Sequence, residues 1–190
     1  MTNLEILGKE EVRKFENPPV LSGIERKKYF RITQHVSEYL KSMRNDHTKA
    51  GFLLHLGYFK ATGKFYTAQS FLEQDINYVA KQLRIQKVNI DLMKYHRVLF
   101  HRHKKLILEI CGYMFFEDCK SVFENHLQQL ITKHLTPKKI FYAVTEWLRM
   151  QKIEVPSYYQ LVTSITQDIN SYEKQLFEKL ETLLSDKQKL

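Results

Sequence analysis

The sequence predicts an all-α protein of two small helical bundles, 1–88 and 89–190, the second with a helix-turn-helix-like pair and a long C-terminal helix. Three observations predict it. Apolar residues recur at spacings of three and four along most of the 190 residues, the period of a helix that buries one face. Only six Gly and four Pro interrupt the chain, and no alternating run is long enough for a strand. Start and stop signals separate the periodic segments. The chain is 43% hydrophobic with a formal charge of +9, which argues against charge-driven disorder and for a folded basic protein.

Glu10 to Glu16 reads as a short helix that Pro18 and Pro19 end, because proline lacks an amide hydrogen and constrains the residue before it. Ser22 with Glu25 is a capping-box pattern and opens a second helix, with Ile24, Tyr29 and Phe30 facing inward. Val36, Tyr39, Leu40 and Met43 make Thr33 to Arg44 amphipathic. A polar corner, Arg44 to His47, follows, with Asp46 as N-cap of a helix that is apolar on nearly every side from Gly51 to Phe59. That helix is expected at the centre of the first bundle, with His55 as a hydrogen-bonded core histidine rather than a base. Gly63 supplies a left-handed C-cap, and Ile76, Val79, Ala80 and Leu83 mark the next helix, which closes the first unit near residue 88.

Positive charge and helical period coincide from Leu92 to Tyr113. Between Asp91 and Glu109 there is no acid, while Lys94, Arg97, Arg102, Lys104 and Lys105 fall there beside His96, His101 and His103. On a helix Leu99, Leu106 and Ile110 share one face, and Arg97, His101 and Lys104 lie opposite. Like charges at that spacing repel, and a polyanion would relieve them; a solvated face with a local excess of Lys also accounts for the pattern. Gly112 ends this helix. Glu117 to Lys133 forms the next, with Cys119, Val122, Phe123, Leu127 and Leu130 inward. Thr136 and Pro137 start another, burying Ile140, Phe141, Val144, Trp147 and Leu148.

After the connector Gln151 to Pro156, Ser157 begins the longest periodic segment, either one helix of about 40 Å or two collinear pieces broken near Asn170. Its first half carries an uncharged outer stripe of Gln160, Thr163, Ser164 and Gln167. Gln can pair both hydrogen-bonding positions of adenine, and Ser or Thr can address several base edges, so the stripe suits a recognition helix; a simple polar surface is the other reading. The connector is longer than the usual helix-turn-helix turn and has no Gly.

No nucleophile-elbow, zinc-protease, phosphate-loop or kinase signature occurs, so no enzyme and no cofactor is expected. Cys111 and Cys119 lack metal or disulfide-framework spacing, and histidines two apart on a helix diverge, so no metal site is expected. The start lacks the h-region of a signal peptide and no stretch is long and apolar enough to span a bilayer. A cytoplasmic protein with no membrane and no small-molecule substrate is therefore expected.

Several stretches together resemble one family. They are Arg44 to His47 (RNDH), Gly51-Phe52, Leu56, Tyr58 to Phe65 (YFKATGKF), Ile76 to Leu83 (INYVAKQL), the Arg/His-rich run ending at His103 with Ile107 and Gly112-Tyr113, and Trp147 to Arg149 leading to Pro156 and Tyr158. In that order they resemble the N-terminal region of the large replicative transposases of the Tn-three family. The resemblance implies the DNA-binding part of a longer transposase, which recognises the terminal inverted repeats of its transposon as double-stranded DNA. Its catalytic domain would lie elsewhere, and the full-length protein would be a possible homodimer. The chain ends at Leu190 straight after a helical pattern, so a fragment is expected. On this reading Arg44, His47, Lys60, Lys64, Arg97, His101, Arg102, Lys104 and Lys105 hold phosphates, and Ser157, Gln160, Thr163, Ser164 and Gln167 read bases. The competing class is a helical protein-interaction module without DNA affinity, pairing through the stripe from Tyr158 to Leu183.

Overall fold

A central helix, apolar all round, needs partners on every side, and the fold supplies them. The computed structural model describes residues 5–187, with side chains through residue 184; the last residues of the expected cut end, 188–190, lie outside them. Nine α-helices run through the described residues: α1 (Lys9–Glu16), α2 (Gly23–Tyr29), α3 (Gln34–Ser42), α4 (Asp46–Thr62), α5 (Glu73–Leu83), α6 (Arg97–Cys111), α7 (Lys120–Ile131), α8 (Pro137–Met150) and α9 (Tyr158–Lys187). The protein is all-α, with no strand among the described residues and only two isolated parallel bridges, Lys64 to Val155 and Met114 to Ile153.

Local chemistry sets most helix ends. Ser22 and Glu25 form the reciprocal capping box at α2, Thr33 caps α3 and Thr136 caps α8 ahead of Pro137. Gly63 and Gly112 close α4 and α6 with φ of 70° and 66°, the left-handed region that a Cβ disfavours. The α4 cap differs from expectation, since Asn45 holds the cap position and Asp46 is the first helical residue.

Every residue of α4 from Ala50 to Phe59 is buried. A Cβ at Gly51 would overlap the Tyr95 ring, and one at Gly57 the Phe30 ring, so two aromatic side chains lie directly on the helix backbone. Asp75, with no solvent exposure, accepts hydrogen bonds from Arg26 Nε and the Tyr58 hydroxyl. It thereby ties α2, α4 and α5 together. Burial first, then the hydrogen bond to Asp75, raise the Tyr58 phenol above its ordinary range, so it stays a donor.

The buried apolar side chains fall into two clusters. One gathers α2 to α6 around Phe30, Phe52, Leu56, Tyr58 and Ile107. The other gathers α1 and α7 to α9 around Phe123, Phe141, Leu148, Leu161 and Ile165. This division does not follow residue 88. Ile107 and Leu108 place α6 with the first cluster, whereas Ile6, Leu7, Val12 and Phe15 place the start of the chain with the second. Ile24 and Val122, expected inward, are 83% and 55% exposed, whereas Phe30 and Phe123, expected inward with them, are buried. Helix α9 continues through Asn170 without a break, 30 residues or about 45 Å at 1.5 Å per residue.

The connector between α8 and α9 is an extended clasp rather than the tight turn of a helix-turn-helix pair. Lys152 takes φ of 53°. Beyond it the backbone bonds outward: Met114 N donates to Lys152 O at 2.8 Å, Glu154 N to Met114 O at 3.0 Å, and Val155 N to Gly63 O at 2.9 Å. Residues 153–156 are buried; the amides of Glu154 and Val155 are met by these distant partners, that of Ile153 by Leu148 O at 2.8 Å, and Pro156 has none to satisfy.

Candidate nucleic-acid interface

Helix α6 presents its cations in two different settings. Its core side is formed by His103, Ile107 and Leu108, with Leu99, Leu106 and Ile110 half-buried at the flank. Arg97, His101, Arg102 and Lys105 are exposed, and Arg97 Nε donates to His101 Nε2 at 3.3 Å. The outward row therefore runs 97, 101, 105, the i, i+4, i+8 positions of one helix face. Arg44, from the α3–α4 corner, shares a groove of about 500 Å³ with Arg102 and Lys105. Thr48 and Glu109 line it too. Arg44 thus meets two cations of α6 that are far from it in sequence, and no described carboxylate pairs with any of the three.

Lys104, expected with Arg97 and His101 as a free cation, is neutralised instead. Its side chain is 21% exposed and its ammonium pairs with Glu154 of the connector, which comes to it only through the fold. Lys64, expected to hold phosphate, is 4% exposed; Nζ donates to Phe15 O at 3.0 Å and to Glu16 Oε1 at 2.6 Å. Burial lowers its pKa, and Glu16 opposes that. Its ammonium is therefore already engaged and is not a free cation for phosphate. Lys60 is half-buried, and burial lowers its pKa as well. His47 is half-buried in the first turn of α4.

His103 also leaves the basic stripe. It is 4% exposed, and its Nδ1 lies 2.6 Å from the Tyr95 hydroxyl. Burial, then nearby Arg102, hold its pKa down at about 4. Burial, then His103, hold His55 at about 3. Neither ring nitrogen of His55 has a hydrogen-bond partner, so the expected hydrogen-bonded core histidine is an unsatisfied one. Both folded values lie below the ordinary histidine value of about 6.5. Below that value the unfolded chain binds protons that the folded one refuses, so stability is present near neutrality and falls as pH drops. The urea midpoint is expected to fall between about pH 6.5 and pH 5, and His55→Leu to flatten that fall; a midpoint constant over this range would mean both rings titrate normally.

The expected base-reading stripe on α9 lies in acidic surroundings. Ser157 and Gln160 form a capping box: Ser157 N and Oγ donate to Gln160 Oε1 at 3.2 and 3.0 Å, and Gln160 N donates to Ser157 Oγ at 3.3 Å. The Gln160 amide also donates to Glu117 Oε1 at 3.4 Å. Both ends of that side chain are thus engaged. Thr163 and Ser164 are half-buried, and only Gln167 and Gln160 are exposed. These residues share a groove with Glu117, Glu124 and Asp168, and burial, then Glu124, raise the Asp168 carboxyl. Glu117 from the turn before α7, Glu124 from α7 and Asp168 of α9 outnumber the one cation of this groove, Lys120, and acids in excess disfavour a phosphate backbone. Ser157→Ala is accordingly expected to lower stability by about 1 kcal/mol through the lost cap, read from chemical denaturation, and to leave affinity for any duplex unchanged. Lost discrimination between duplexes would restore the stripe as a reader.

A family model described as a domain of unknown function (DUF4158) matches residues 6–167. The chain belongs to the DUF4158 family. No curated protein matches it. The match takes in both clusters of this DUF4158 chain, the whole of α6 and the first third of α9. Among the described residues no group of His, Cys, Asp and Glu is arranged to hold a metal ion, and no helix is long and apolar enough to cross a membrane.

Proposed function

We propose that this DUF4158 chain binds double-stranded DNA through the outward face of α6 and the α3–α4 corner. The observation that carries the reading is the meeting of Arg44, Arg102 and Lys105 in one groove, continued along α6 by Arg97 and His101. Unpaired cations on one face, on a chain of net charge +9, are the footprint of a phosphate-binding surface. The ordered motifs that resemble Tn-three transposases support the finer reading. In it the duplex is a transposon terminal inverted repeat and the chain is the non-catalytic, DNA-binding part of a transposase. The Gln-bearing face of α9 gives this reading no support.

Four cations, Arg44, Arg97, Arg102 and Lys105, give an expected slope of log affinity against log salt of about −3.6, roughly a hundredfold between 50 and 200 mM. Fluorescence anisotropy with an inverted-repeat duplex and a random duplex measures it. Salt-independent binding, or none, overturns the proposal.

A second reading has its own observation. Phe177, Leu180, Leu183 and Leu184 are each more than half exposed on the distal part of α9, as a helix that pairs with another protein would be. Mass that rises with concentration, in a chain without DNA affinity, favours that reading.

A further inference from the structure

A cleft of about 560 Å³ opens between α4, α6 and the connector, within the range that takes small organic ligands. His55 is among the residues that line it. The imidazole is 2% exposed, and four aromatic rings surround it: Phe71, Phe100, Tyr95 and Phe65 at 4.8, 5.0, 5.1 and 6.2 Å between centroids. A buried polar ring without a partner is unfavourable by itself, so the site has an unmet donor and acceptor among stacking surfaces. The walls are fixed. Tyr95 is held by its hydroxyl contact with His103 and by its seat on Gly51, and Phe65 stacks on Phe59 at 4.5 Å.

The charges around the cleft are mostly spoken for. Lys64 is paired with Glu16 and Lys104 with Glu154. Arg97 lines the cleft without a carboxylate partner and also belongs to the outward basic face of α6. A ligand that fits has a flat heteroaromatic ring with a donor and an acceptor on its edge, and an anion for Arg97.

We propose that this cleft is a nucleotide site, in which one nucleobase stacks on the aromatic wall beside Phe100, its edge meets His55, and its phosphate lies on Arg97. The assignment rests on the DNA-binding reading through Arg97, which serves both surfaces. The base comes either from a free nucleotide or from an unpaired position in a bound strand; enclosed aromatic sites read both by the same stacking and edge contacts.

The test uses the full chain labelled in its histidine rings, with the His55 signals assigned by their loss in His55→Leu. Four probes are titrated: dAMP, deoxyribose 5-phosphate, a fully paired duplex, and the same duplex carrying one bulged adenine. Saturable shifts of the His55 signals with dAMP, and none with deoxyribose 5-phosphate, are expected. Larger shifts with the bulged than with the paired duplex assign the base to DNA, and shifts with dAMP alone assign it to a free nucleotide; both support the site. Phe100→Ala is expected to weaken the responding probe about tenfold, as loss of a stacking face does, and to leave paired-duplex affinity within about twofold. Unmoved His55 signals with both dAMP and the bulged duplex, or equal shifts with deoxyribose 5-phosphate, overturn the site. If paired-duplex binding keeps its salt dependence in that case, only the nucleotide site is lost; if it is absent too, the DNA reading falls separately.

Discussion

Asp75→Ala is expected to lower the stability of this chain by about 3 kcal/mol, the lower end of what removing one partner of a buried ion pair does. The carboxylate is wholly buried and accepts from two donors on two other helices, Arg26 and Tyr58. Arg26 is 17% exposed, so its charge can turn partly to water, which keeps the loss from the upper end. The Tyr58 hydroxyl has no such escape. Asp75→Asn keeps an acceptor for one donor and is expected to lose about half as much. For a chain of this length the alanine change corresponds to a fall in Tm of about 6–12 °C. Urea denaturation with an unchanged m-value checks it, and a loss under about 1 kcal/mol would mean that the two donors find other partners.

Removing the three groove cations together, as Arg44→Ala, Arg102→Ala and Lys105→Ala, is expected to abolish most of the electrostatic part of DNA binding. Each phosphate contact contributes close to one unit of salt slope, so the slope should shrink from about −3.6 to about −0.9. Affinity near 50 mM salt should fall about a hundredfold, equally for inverted-repeat and random duplexes, because phosphate contacts carry no sequence information. Stability should hold, since all three side chains are exposed and none has a carboxylate partner to lose. A variant with the slope intact would place the duplex elsewhere.

How far the sequence reveals the fold depends on how local the determining chemistry is. Ser22 with Glu25, Thr33, Thr136 with Pro137, Gly63 and Gly112 mark helix ends through atoms only a few residues away, and the structure has them in those roles. The apolar run around Leu54 reads correctly as the central helix for the same reason. The site is less legible. Lys64 and Lys104 look like surface cations until Glu16 and Glu154 reach them, and the stripe from Gln160 to Gln167 looks neutral until α7 and the turn before it set Glu124 and Glu117 beside it. The aromatic shell of His55 is drawn from residues 65, 71, 95 and 100, which no periodic pattern connects. One signal was available for Gln160: a serine three residues before it, the same cap spacing that identifies α2.

The clasp at 152–155 bears on how the molecule comes apart. Its amides and carbonyl are shared between Gly63 on one side and Met114 on the other, while Lys64 and Lys104 bridge the same seam with their ammonium groups. Loosening either hydrophobic cluster strips bonding partners from the segment that the other cluster also depends on. Melting should therefore run as a single cooperative transition rather than as two steps, with the seam acting as the shared hinge pin of both halves.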